Sequence, residues 1–169
     1  MRGWWVAIAS VLILAACARP QSPLTEFHDP EFGFTVRYPP GWASIRRAEA
    51  VWFVPPDRTP EAGEFIQVVT RPADAQLDDA AIRRAVFEQL SIHGVSGFQQ
   101  DARTTQRVRW YKFEVTGSSG GLEWASVGAV SAGDARYHLI VCAKPLAQWR
   151  DGQKQCDEVV KTFQPGPLQ

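Results

Sequence analysis

The chain has no excess of charge of either sign, because 18 lysines and arginines stand against 18 aspartates and glutamates in 169 residues. A nucleic-acid-binding domain needs a basic surface that neutralises phosphates, so this balance argues against nucleic acid as a partner. It also provides no basic patch for anionic lipid. Any attachment to a membrane must therefore come from something other than charge.

The short motifs that mark common catalytic and metal sites are missing as well. The sequence contains no phosphate-binding loop, no paired Cys-x-x-Cys, no Gly-x-Ser-x-Gly and no His-Glu-x-x-His. We therefore predict no catalytic, cofactor-binding or metal-binding residues, no cofactor, and a protein that is not an enzyme.

No apolar segment near the N-terminus is long enough to cross a bilayer. Residues 4–16 carry no charge and follow Arg2. A helix of about 13 residues covers roughly 20 Å, whereas the hydrocarbon core of a bilayer is about 30 Å thick. A short basic end followed by such a segment is typical of a secretory signal, so we assign residues 1–16 as an export signal.

The apolar segment ends in Leu14-Ala15-Ala16-Cys17, which resembles the lipobox of bacterial lipoproteins. This resemblance implies cleavage before Cys17 and acylation of both its sulfur and its new amino group. Two or more acyl chains give stable membrane anchoring. The alternative is an ordinary signal peptide cut near Ala16, which would leave Cys17 as a chance thiol.

The residues after Cys17 indicate how the mature protein sits on its membrane. Ala18 replaces the Asp that retains enterobacterial lipoproteins at the inner membrane, which favours a periplasm-facing position on the outer membrane. The acylated Cys and a Pro-rich tether make up residues 17–25. The tether reaches at most about 25 Å.

The two other cysteines, Cys142 and Cys156, form an even pair in a chain predicted to be exported. Such a pair is typical of one disulfide, which would contribute roughly 3 kcal/mol of stability. Two buried thiols or two metal ligands are the alternatives.

Hydrophobic periodicity predicts the fold of residues 26–165, which the tail 166–169 follows. Apolar residues alternate from Phe32 to Tyr38, and Pro39-Pro40-Gly41 is typical of a type II turn. Further strand-like segments are residues 50–54, 65–70, 98–104, 108–116, 122–130 and 136–142.

Two helices complete the pattern. Asp78 is placed to cap the first, in which Ile82 and Val86 are spaced by four, and the second carries an apolar stripe from Leu146 to Phe163. The order of strands, helix, strand meander and helix predicts an α+β domain, with one central antiparallel sheet and helices packed on it.

Several segments, in chain order, resemble the PsbP-type family of extrinsic proteins and bacterial lipoproteins. They are Gly33-Phe34-Thr35-Val36-Arg37-Tyr38-Pro39-Pro40-Gly41-Trp42, Trp110-Tyr111-Lys112-Phe113-Glu114, Tyr137-His138-Leu139, Trp149 and Thr162-Phe163. The resemblance implies an α/β/α sandwich and a non-catalytic, extrinsic role. In photosynthetic organisms the family includes lumenal subunits of photosystem II, and its bacterial relatives are mostly membrane-anchored lipoproteins.

Two groups of residues could carry chemistry. His138 and Cys142 share one face of a strand, but positions four apart lie ~13 Å from each other, too far for a nucleophile pair or a shared metal ion. His28, Asp29 and Glu31 could hold a cation, although Asp29-Pro30 is also an ordinary turn opener.

The five tryptophans that follow the signal are expected mostly in the core, because each can bury a large area. Trp110 lies on the opposite strand face from Tyr111, Phe113 and Val115. In a sheet covered on both faces Trp110 belongs to the core, whereas in a half-open sheet it would mark a binding surface.

The leading hypothesis is a membrane-anchored module of the cell envelope that binds a protein partner. The alternative is a periplasmic lipoprotein that carries a small ligand or metal ion in a pocket between sheet and helix.

Overall fold

A computed structural model describes residues 23–73, 78–90, 95–119, 121–133 and 136–166. The predicted export signal, Cys17 and most of the tether lie outside these ranges, as does the end of the predicted tail. None of the helices in the described ranges is long and apolar enough to cross a membrane.

Nine strands and two α-helices fall within the described ranges. In chain order they are β1 (Thr25–His28), β2 (Thr35–Tyr38), β3 (Ala43–Arg47), β4 (Ala50–Val54), β5 (Phe65–Pro72), α1 (Asp79–Leu90), β6 (Val95–Gln100), β7 (Arg109–Ser119), β8 (Leu122–Ala132), β9 (Arg136–Pro145) and α2 (Trp149–Thr162).

Seven strands form one antiparallel sheet in the order β3-β4-β5-β9-β8-β7-β6, and β1 and β2 form a separate hairpin. After β5 the chain crosses through α1 to the far edge at β6. The meander β6-β7-β8-β9 then returns and pairs β9 with β5. The predicted α+β class with a central antiparallel sheet is confirmed.

The sheet is covered on both faces, so the domain has three layers. One face packs against Ile82 and Val86 of α1, and the other against Val159 and Val160 of α2 and against the β1–β2 hairpin. The central strands β8 and β9 are buried along almost their whole length. Because side chains alternate between the two faces of a strand, neighbouring residues of β8 and β9 pack into the cores on opposite faces of the sheet.

A capping hydrogen bond and a disulfide hold the two helices at the positions that the sequence pattern predicts. The Asp78 carboxylate accepts a hydrogen bond of 2.7 Å from the backbone N–H of Ala81, which caps α1 as expected. In α2, Cys156 is disulfide-bonded to Cys142 of β9, with 5.2 Å between the Cα atoms. The helix is thereby held against the middle of the sheet.

Gly41 makes the turn after β2. It has φ of +81°, and the backbone N–H of Trp42 lies 3.4 Å from the carbonyl of Pro39. A left-handed residue at this position is what a type II turn requires.

The strands differ from the sequence-based expectation at several points, of which three are the clearest. β1 begins at Thr25, the last residue assigned to the tether, and β3 forms where no strand was expected. Both strands are short and mostly exposed, so they show no apolar alternation. β6 ends at Gln100 rather than at residue 104, because the carboxylate of Asp101 accepts the backbone N–H of Arg103 and turns the chain.

Candidate functional site

A groove of about 340 Å³ opens on the α2 face of the sheet, beside the edge strand β6. It exists because α2 packs on β8, β9 and β2, which leaves part of β6 and β7 beyond its cover. Val127 of β8 and Val160 of α2 form its apolar floor.

A close approach on the opposite face of the sheet, which α1 covers, lies behind this floor. Gly128 of β8 lies opposite Phe113 of β7, and a Cβ on Gly128 would meet the Phe113 ring at 2.3 Å. Only glycine lets the ring lie flat over the strand here.

The rim of the groove carries charges of both signs. Its basic side chains are Arg103, Lys112 and Lys161, and its acidic side chains are Asp101, Glu114 and Asp157. The rim therefore combines acidic and basic groups beside an apolar floor.

Asp101 is the buried centre of this rim, with only 3% of its side chain exposed. Burial acts to raise the pKa of its carboxyl, but hydrogen bonds from Arg103 and Lys112 outweigh it and the pKa lies below its ordinary value. Arg103 Nη2 lies 3.1 Å and Lys112 Nζ 3.3 Å from Oδ2. Two of the three rim cations are thus already paired.

Trp110 lies in the core beneath the rim, with 6% of its surface exposed. The Arg103 guanidinium stands 4.0 Å above its ring and Phe163 packs against it edge-on. The alternative in which Trp110 forms an open binding surface is therefore wrong. The surface presented there belongs to Arg103, whose Nη1 is buried without a hydrogen-bond partner among the described residues.

A buried polar row crosses the sheet next to the groove. His138 of β9 pairs with Thr70 on one side and Ser131 on the other. Its Nδ1 lies 2.9 Å from the Thr70 hydroxyl, whereas the Ser131 hydroxyl is buried and has no partner among the described residues. Burial, reinforced by the charge of Arg136, lowers the pKa of His138 to about 4. A histidine in this setting is a neutral core residue at neutral pH.

His138 and Cys142 do not form a reactive pair. They share the α2 face as predicted, but Ile140 lies between them and Cys142 is bonded to Cys156. A disulfide sulfur carries no thiolate, so nucleophilic chemistry at this position has no basis.

His28, Asp29 and Glu31 are engaged with protein groups. Asp29 is fully buried; Oδ1 accepts the backbone N–H groups of Glu31 (2.9 Å) and Phe32 (2.7 Å), and Oδ2 accepts from Arg46. Glu31 also pairs with Arg46, and His28 Nδ1 faces a threonine hydroxyl on β2. This cluster organises a turn, and the described residues contain no group of three or more potential ligands arranged for a metal ion.

A second depression lies on the opposite face, between α1 and the start of β7. Its main feature is Tyr111, whose hydroxyl donates to Asp79. Burial and the Asp79 carboxylate raise the pKa of Tyr111 to about 12. The phenol is therefore a structural link between α1 and the sheet.

The rim residues were not predicted as a site, although the sequence carries a signal for them. Lys112 and Glu114 follow Trp110 on the face that α2 covers. Charged residues on a strand face that is expected to be buried indicate that the helix packed on that face does not cover all of it.

Solved structures share this fold. The cyanobacterial PsbP (CyanoP) of Synechocystis sp. PCC 6803 matches with a TM-score of 0.60 and 14% identity, over 90% of this chain and 98% of that one. A Bacteroides thetaiotaomicron protein matches at 0.56 and 16%, over 88% of this chain and 50% of that one. The Ran-binding protein Mog1p of Saccharomyces cerevisiae matches at 0.52 and 12%, over 84% and 95%.

At such low identities these matches show the fold alone, and the fold is the PsbP-like one that was expected. No protein-family model and no curated protein matches the chain.

Proposed function

We propose that this chain is a lipid-anchored, non-catalytic module of the cell envelope that binds a protein partner through the groove beside α2. The groove carries the proposal, because it combines an apolar floor with a charged rim. Protein interfaces have this organisation, with an apolar centre enclosed by polar groups. A protein of the same fold, the yeast Mog1p, is named for binding another protein, which supports a protein as the partner here.

The anchor is the second part of the proposal. Cys17 takes the diacylglycerol on its sulfur and an acyl chain on its amino group, and residues 17–25 tether the domain residues 26–165 to the periplasmic face of the outer membrane. Acyl chains are needed because the balanced charge of the chain gives it no electrostatic attraction to anionic lipid.

Labelling of cells with a fatty acid analogue tests the anchor. Wild-type protein should incorporate the label, and Cys17→Ser should lose it and remain as an unprocessed precursor. The matched control is the double variant Cys142→Ala/Cys156→Ala, which also removes cysteines but should keep the label. A labelled Cys17→Ser protein would disprove the anchor.

Photo-crosslinking in intact cells tests the groove. A crosslinking amino acid at Gln99 or Lys161, both exposed at the rim, should yield the same discrete adduct, and one at Arg84 on the opposite face should not. Equal adducts from Gln99 and Arg84 would count against a specific groove.

A charge reversal sharpens the same experiment. Lys161→Glu changes the rim and should reduce the adduct formed from Gln99. Lys154→Glu is the matched control, since Lys154 is exposed on the same helix but does not line the groove. Equal effects of the two variants would mean that net charge, and not the groove, controls binding.

A small ligand is the second candidate, because the groove volume falls within the roughly 300–1,000 Å³ of ligand sites. Native mass spectrometry of protein purified from its source would then show an added mass. Lys161→Glu would reduce the fraction of protein that carries this added mass. Protein of the bare chain mass alone would exclude a retained ligand.

A further inference from the structure

The chain enters the domain at one end of the sheet, which we call the tether end. β1 starts at Thr25, opposite Tyr38, and the turn at residues 39–41 follows Tyr38 directly. Beyond that turn, the Trp42 ring lies 5.7 Å from Nζ of Lys144, near the end of β9. The tether therefore leaves the domain beside the last residues of β9.

The exposed large hydrophobic residues of the described chain lie at this same end. Leu122, at the start of β8, is 49% exposed, and Leu146, directly after β9, is 43% exposed. Pairing of Trp124 with Pro145 brings both leucines to the same end of β8 and β9. Single exposed leucines are common on protein surfaces; these two are distinctive because both lie at the end where the tether attaches.

The surroundings of the two leucines suit a lipid surface. Trp42 and Trp149 are half-buried at this end, and tryptophan is enriched where protein meets the bilayer interface. Lys144 is paired with Glu64 at 2.8 Å, so its charge is already compensated. The end thus presents apolar and aromatic groups beside exposed charged residues of both signs, among them Glu123 and Arg150.

The length of the tether makes contact at this end easy and at the other end difficult. The ~8 residues from Ala18 to Thr25 reach at most about 25 Å, whereas β8 alone, with 11 residues, spans roughly 35 Å. With Thr25 held close to the lipid, the tether end meets the surface first.

We propose that the tether end rests on the lipid surface to which Cys17 is attached, with Leu122 and Leu146 entering the interfacial region. The proposal depends on the lipid anchor of the proposed function. Two leucines give little affinity by themselves, so contact requires the high local concentration that the anchor provides. The domain then has a preferred orientation on its membrane.

Hydrogen–deuterium exchange of anchored protein tests this orientation. The mature chain from Cys17 is coupled through the Cys17 thiol to a maleimide lipid in phosphatidylcholine vesicles. The disulfide between Cys142 and Cys156 keeps the other sulfurs unreactive. Amides of residues 121–123 and 146–149 should exchange several-fold more slowly than in the same protein without vesicles, and those of residues 101–108 should be unchanged.

Paired variants identify the groups responsible. Leu122→Ser/Leu146→Ser should return the slowed amides to the rates of the free protein, and Val108→Ser at the opposite end should leave the slowing intact. Slowing that is uniform, absent, or confined to residues 101–108 would overturn the proposal. Because the maleimide lipid supplies the anchor, this failure is distinct from loss of natural acylation, which fatty acid labelling of Cys17 reports.

Discussion

The buried histidine of β9 makes the stability of the domain depend on pH in a predictable window. His138 is 1% exposed, and burial first and Arg136 second lower its pKa from 6.5 to about 4. In the unfolded chain the imidazole regains its ordinary pKa. Protons therefore bind the unfolded state more readily, and acid favours unfolding.

The magnitude follows from the difference between the two pKa values. Above about pH 6.5 the imidazole is neutral in both states and contributes no pH dependence. Between about pH 6.5 and pH 4 the unfolded chain takes up a proton that folded His138 does not, and about 3 kcal/mol of stability is lost. Below about pH 4 both states are protonated and this contribution stops changing.

Urea unfolding of wild type and His138→Gln, from about pH 7 to about pH 4, measures this effect. Glutamine keeps a polar group near the Thr70 hydroxyl, which lies 2.9 Å from the imidazole, but it has no proton to gain. The variant should start less stable and lose about 3 kcal/mol less than wild type on acidification. Carboxylates contribute to both proteins alike and cancel in the difference. Parallel losses in the two proteins would refute a buried neutral imidazole.

Three further perturbations test the packing by urea unfolding. Cys142→Ala/Cys156→Ala should lower stability by about 3 kcal/mol, and thiol reductant should shift wild type equally but leave the variant unchanged. Gly128→Ala should lower the free energy of unfolding by about 1–3 kcal/mol, because the new Cβ would meet the Phe113 ring at 2.3 Å. Adding Phe113→Leu should recover part of that loss, and simple additivity of the two losses would contradict the clash. Glu64→Gln should lower the free energy of unfolding by about 2 kcal/mol, because it leaves the largely buried Lys144 without the carboxylate that lies 2.8 Å from its Nζ. An unchanged urea midpoint would mean that water replaces the carboxylate.

The sheet could be predicted from the sequence because most of its strands are long or strongly apolar. β7, with 11 residues, shows alternation that determines both its type and the face of each side chain. α1 was equally clear, since Asp78 supplies a cap just where the four-residue spacing begins. β1 and β3 have only 4 and 5 residues and are mostly exposed, so their strand character comes from pairing with β2 and β4 and not from their own composition.

The groove could not be predicted, because it depends on where a helix stops covering a sheet. Sequence gives the face of Trp110 and Lys112 but not the distance that α2 extends over that face. The two residues lie on the same face of β7, yet one is 6% exposed under Arg103 and the other lies at the open rim. The Arg103 side chain reaches this place from the turn after β6, a contact with no periodic signal.

The path of the chain relates the proposed groove to the proposed membrane contact. β9 ends at the tether end, so α2 begins there at Trp149 and runs back along the sheet. Its last turns therefore lie at the far end, where Phe163 packs on Trp110 and Lys161 lines the groove. A helix of 14 residues spans roughly 20 Å, so an orientation with Leu122 and Leu146 on the lipid holds the groove about that far from the surface. A partner could then reach the groove without competing with the bilayer for the same face of the domain.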